Sequence, residues 1–179
     1  QYITAEENTF GAIPSFNESG SKITYAEWRL DAEGDLSNPS IVVFDLQTGA
    51  KAAITSDSVE HWRPVFSPNG QKIYYIVKDK KDQFDVFEYR LKDGIRRNIT
   101  NSPYEEWDPA VSGDGKKLVF AAKKNGNWDL FLHNLETGQT VQLTNSLGNE
   151  WDPSFSPCGR YLYYAATFGL RNGIFKLTL

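Results

Sequence analysis

Pro64-Val65-Phe66-Ser67-Pro68-Asn69-Gly70-Gln71-Lys72, running into Ile73-Tyr74-Tyr75-Ile76, decides the fold of this chain. An apolar stretch meets a turn of Pro, Asn and Gly, and the chain leaves it as a run of β-branched and aromatic residues, the pattern of two strands joined by a tight turn. The unit recurs three times. Its prolines are Pro14, Pro64, Pro109 and Pro153, spaced 50, 45 and 44 residues apart, and its turn glycines are Gly20, Gly70, Gly115 and Gly159. Behind each copy comes a third apolar segment, such as Asp85-Val86-Phe87-Glu88-Tyr89 or Asp129-Leu130-Phe131-Leu132-His133. In three copies a second glycine turn (Gly49, Gly94, Gly138) then leads to a fourth strand ending Ile54-Thr55, Ile99-Thr100 or Leu143-Thr144. Four strands per repeat of this length predict propeller blades, and the weak alternation suits strands covered on both faces by neighbouring blades.

The fold class is therefore all-β: a four-bladed β-propeller with four antiparallel strands per blade. The blades cover residues 12–55, 62–100, 107–144, and 151–179 plus 1–4, in one domain. The last repeat ends after its third strand, and Gln1-Tyr2-Ile3-Thr4 matches Arg97-Asn98-Ile99-Thr100, so the N-terminal strand is expected to complete the last blade. Sharing a blade between the termini would tie the ring with backbone hydrogen bonds and cover strand edges. The competing expectation is a segment of a larger six- or seven-bladed ring.

The motif Pro-x-aromatic-Ser-Pro-x-Gly, held by residues 64–70 and again by Pro153-Ser154-Phe155-Ser156-Pro157-Cys158-Gly159, resembles the TolB-like β-propeller family. The copies at Val111–Lys116 and Phe16–Lys22 are degenerate versions. The resemblance implies the fold over essentially the whole chain. For function it implies protein docking, peptidase gating or, occasionally, polysaccharide cleavage.

Composition narrows the functions. Among 179 residues, 14% are aromatic and the net charge is −4, which opposes disorder and gives no basic stripe for nucleic acid. No apolar run is long enough for a membrane span. Neither a nucleophile–base–acid arrangement nor a phosphate-cradling glycine loop is present, and the lone Cys158 reads as a turn residue. A periplasmic or extracellular location is expected, with the cytoplasm left open.

Blade topology puts the long, varied loops on one face, here called the top, where binding residues concentrate. The inter-blade loops there share a pattern: Glu60-His61-Trp62-Arg63, Glu105-Glu106-Trp107-Asp108 and Asn149-Glu150-Trp151-Asp152. The first repeat departs from it with Phe10-Gly11-Ala12-Ile13. Trp62, Trp107 and Trp151 are expected either to pack between blades or to form an aromatic platform. Glu60, Glu105, Glu106, Asp108, Glu150 and Asp152 are expected near the channel mouth, held by backbone N–H groups or receiving a cation or a basic peptide. His61 is expected to be solvated. No cofactor is required; a metal ion in the central channel is the option these oxygens leave open. The expected function is a non-enzymatic scaffold binding a protein or peptide. Carbohydrate binding or cleavage, and half of a two-chain toroid, are the alternatives.

Overall fold

Strands of three to eight residues, the longer ones rich in Ile, Val, Tyr and Phe and many joined by glycine turns, give sheet throughout, and no helix forms among the described residues. A computed structural model describes residues 7–56 and 58–179. It is a four-bladed β-propeller of antiparallel sheets. The first blade holds β1 (Thr9–Phe16), β2 (Lys22–Arg29), β3 (Ser40–Asp45) and β4 (Lys51–Ala53). The second holds β5 (Glu60–Phe66), β6 (Lys72–Lys78), β7 (Phe84–Arg90) and β8 (Arg96–Asn98). The third holds β9 (Glu105–Val111), β10 (Lys117–Lys124), β11 (Asn127–Asn134) and β12 (Thr140–Gln142), and the fourth β13 (Asn149–Phe155), β14 (Tyr161–Phe168) and β15 (Arg171–Thr178). Each sheet is a meander in chain order. The expected closing strand Gln1–Thr4 lies outside the described residues.

The β5–β6 turn shows why the glycine recurs. Ser67 and Lys72 pair across it, the Gly70 N–H donates to the Ser67 carbonyl at 2.8 Å, and Gly70 takes φ +65°, a region that costs a side-chain-bearing residue strain. The inner strands carry a second irregularity. Their register slips at the residue-proline pair in every blade, between Ala12 and Ser15, Trp62 and Val65, Trp107 and Ala110, and Trp151 and Ser154. The residue before each proline is left-handed: Ile13 at φ +58°, Arg63 at +53°, Asp108 at +56° and Asp152 at +49°. Proline has no N–H to give the ladder, so it sits at a bulge, and the bulge turns its predecessor inward.

The core is laid down between blades. Ile73, Tyr75 and Val77 face Ala26 and Ile41 of the first blade; Tyr74, Ile76 and Val86 face Leu118, Phe120 and Phe131 of the third. Val119, Ala121 and Leu130 in turn face Leu162 of the fourth. Among the described residues, no strand of the first blade lies against a strand of the fourth.

Candidate functional site

The four bulges converge on the axis. Ile13, Arg63, Asp108 and Asp152, with their prolines, line a cavity of about 200 Å³ at the centre of the propeller. Arg63 organises it: Nε lies 3.0 Å from Asp108 Oδ1, and Nη1 donates to Asp152 Oδ1 at 3.0 Å. The Asp152 N–H donates to Asp108 Oδ2 at 3.1 Å. Burial raises the Asp108 carboxyl above its ordinary range, while the Arg63 charge and the Asp152 N–H pull it back down. Asp152 is the exposed partner. The guanidinium thus lies between the two carboxylates, where a cation would otherwise be placed. No group of three or more His, Cys, Asp or Glu side chains is arranged around a common point among the described residues.

Above this charged floor stands an aromatic wall. Trp107, Trp128 and Trp151 join Arg63, Asp108 and Asp152 around a cup of about 300 Å³. Each inner-strand Trp leans on its neighbouring blade, as the packing expectation had it. Trp62 meets Trp28 at 5.6 Å between centroids and Trp107 meets Phe84 at 5.0 Å. All three remain half-buried, so each keeps part of its ring toward solvent. Trp62 also donates from Nε1 to Glu60 at 3.0 Å, and Lys78 holds the other Glu60 oxygen at 3.1 Å. Glu105 lies at the rim, 3.5 Å from Lys123.

Three expected site residues lie elsewhere. Successive strand residues face opposite ways, so Glu106 and Glu150 point away from their tryptophan neighbours and are fully buried between blades. Glu106 accepts from the Thr100 hydroxyl, from Ser102 Oγ at 2.6 Å and from the Val86 N–H at 3.2 Å. Glu150 accepts from Thr144 Oγ1 at 2.8 Å and from the Ser146 hydroxyl. In both cases the threonine hydroxyl also receives an N–H of the preceding blade's third strand, Val86 at 3.0 Å or Leu130 at 2.8 Å. Burial pushes the Glu106 carboxyl up to about 7, against the pull of the Ser102 and Thr100 hydroxyls, with the nearby Asp85 charge adding to the rise. These two acids pin the inter-blade loops to the sheets. They do not stand at the channel mouth.

His61 is the corresponding residue of the second blade, and the expectation of a solvated imidazole is corrected. It is 1% exposed, with Nδ1 3.3 Å from the Pro39 carbonyl and its ring 5.7 Å from that of Tyr75. A ring in this interior slot takes the place that a carboxylate fills in the next two blades.

Trp128 and Arg63 are the members of the cup that the shared loop pattern understates, since Trp128 belongs to β11 and Arg63 departs from the acidic consensus. The Thr-Asn-Ser-x-x-x-Glu motif, repeated at 100–106 and 144–150, is the signal that identifies the two glutamates as structural.

A family model described as the TolB beta propeller domain matches residues 62–179. No curated protein matches the chain. Among solved structures, TolB from Acinetobacter baumannii is 25% identical with a TM-score of 0.80, covering 98% of this chain and 42% of that one. A puromycin-hydrolyzing peptidase of Mycobacterium tuberculosis is 15% identical with a TM-score of 0.74, over 94% of this chain and 27% of its own. An oligogalacturonate lyase of Vibrio parahaemolyticus is 14% identical with a TM-score of 0.66, over 86% and 44%. The last two show a shared fold, and this chain spans less than half of each of the three proteins.

Proposed function

The chain belongs to the TolB β-propeller family, and from that premise we propose that it is a non-enzymatic binding module presenting its top face to a protein or peptide partner. The observation that carries the reading is the cup at the channel mouth: three half-buried tryptophans over the Asp108–Arg63–Asp152 floor. Indole faces supply apolar contact with little side-chain entropy to lose. The floor brings two carboxylates to one guanidinium, so an incoming Lys or Arg side chain finds a net acceptor. Glu60, Trp62, Glu105, Trp107, Asp108, Trp151 and Asp152 are the residues assigned to contact, with Trp128 and Arg63 added. His61, Glu106 and Glu150 support them from the interior. A periplasmic or extracellular location accords with the family, and no helix of the described residues is long and apolar enough to cross a membrane.

The test is selection of a displayed random-peptide library on the wild type and on Trp107→Ala/Trp151→Ala. The reading expects enrichment of peptides carrying Lys or Arg beside an aromatic residue, with capture lost in the double variant while its circular dichroism is kept. Equal enrichment on both proteins would remove the cup from the account. Carbohydrate binding is the second reading, favoured by the tryptophan wall; capture of neutral oligosaccharides in place of peptides would support it.

A further inference from the structure

A further cavity, of about 440 Å³, lies elsewhere, in the cleft between the second and third blades. Its walls are Tyr104, Phe120 and Phe131, with the Tyr104 and Phe131 rings 6.2 Å apart and those of Phe120 and Phe131 6.0 Å apart. Lys124 enters from the end of β10. Its Nζ stands 6.0 Å from the centroids of both Tyr104 and Phe131 and donates to Gln142 Oε1 at 3.0 Å. An ammonium carries three donors, and the bond to Gln142 uses one.

The neighbouring cleft shows what keeps this one open. In the fourth blade Phe168 takes the place of Lys124, Phe175 that of Phe131 and Gly148 that of Tyr104. Phe168 meets Phe175 edge-on at 5.2 Å, and it lies so close to Gly148 that an added Cβ would come within 2.7 Å of its ring. A phenyl ring therefore fills that cleft from within the chain. Between the second and third blades the same position holds a flexible cation, and the aromatic walls are left without their plug.

We propose that this inter-blade cleft binds a small aromatic carboxylate, the arene filling the place that Phe168 fills one blade on and the carboxylate bonding to Lys124. Apolar ring burial gives the affinity and the ammonium fixes the orientation. The acids that face the cleft do not cancel this. Both Glu106 oxygens already have hydroxyl and backbone partners, and burial raises that carboxyl to about 7, which lessens its negative charge below neutral pH. Asp129, held by Gln142 Nε2 at 3.1 Å, is likewise raised by burial. A cationic arene is disfavoured because Lys124 already supplies the cation over both rings.

The experiment is ligand-observed NMR titration of the whole chain with phenylacetate and indole-3-acetate, alongside phenylacetamide and phenethylamine. Two acetylated dipeptides ending in Phe, one with a free carboxylate and one amidated, test a peptide C-terminus as the source of the same chemistry. The acids should bind and the amide should bind about tenfold more weakly, the worth of one charge-assisted hydrogen bond. Lys124→Phe should abolish binding by closing the cleft as Phe168 does, and Lys124→Gln should reduce it to the level of the amide. Melting curves establish that both variants fold, and Lys124→Gln leaves the cavity walls untouched. Binding by free acids points to a metabolite, and binding by the dipeptide acid alone to a peptide C-terminus; both support the site. Absence of binding by every acid, equal binding of acid and amide, tighter binding of the amine, or unchanged binding by Lys124→Gln would overturn it. None of these outcomes touches the tryptophan cup.

Discussion

The third and fourth blades present the same face to opposite fates. Val119, Ala121 and Leu130 of the third blade are 0% exposed because the fourth blade covers them. Forty-four residues later, the equivalent positions Tyr163 and Ile174 are 42% and 74% exposed, and Ala165 is half-buried. The same repeat therefore builds a core where a neighbour follows and a surface where none does among the described residues. Stability in such an array comes from the interface between units more than from the unit itself.

The sharpest way to break that comparison is a pair of truncations. Leu130→Ala empties a packed interface and should cost about 2–5 kcal/mol, whereas Ile174→Ala should stay within about 0.5 kcal/mol, read from urea unfolding. Similar losses at both sites would mean that Ile174 is covered in solution.

A smaller effect separates the buried from the exposed acids. Below pH 4.5 the Glu106 carboxyl is protonated in both states, and between there and about 7 only the folded chain keeps its proton. Folding should therefore strengthen as pH falls through this window and weaken as it rises, by up to about 3 kcal/mol from this group. Glu106→Gln should flatten that dependence, while Glu105→Gln, at the exposed rim, should leave it unchanged. Identical pH–stability curves for wild type and Glu106→Gln would contradict the assignment. A further change is expected at the β9–β10 turn, where Gly115 takes φ +70° and an added Cβ would meet Pro68 Cδ only at an ordinary contact of 3.8 Å. Gly115→Val should cost about 1 kcal/mol from backbone strain alone.

What was legible in the sequence follows the same division. The blades could be read because prolines and turn glycines impose backbone states that other residues resist, and they recur at nearly fixed spacing. The inward turn of Arg63, Asp108 and Asp152 was not, since a left-handed residue before proline defies the usual preference of that position. Nor was the burial of Glu106 and Glu150 apparent from their loops. A carboxylate next to a tryptophan on a variable loop looks exposed, and only the hydroxyls four and six residues upstream show that its charge has internal donors. The burial of His61 was hidden likewise, since it stands between Glu60 and Trp62 on the same kind of loop while its slot is interior. Asp108, Asp152, Trp107 and Trp151 line one cup because the pseudo-symmetry that aligns them in sequence also aligns them in space, whereas Trp62 lies outside it against Trp28.

The central claim is that binding takes place at the channel mouth and not on the glycine-turn face. Amide hydrogen exchange, with and without a peptide obtained from the library selection, tests it most directly. Protection is predicted in residues 60–63, 105–108, 126–129 and 149–152, with the turns at 67–71, 112–116 and 156–160 unchanged. Protection confined to those turns, with the channel-mouth segments exchanging as in the free chain, would contradict it.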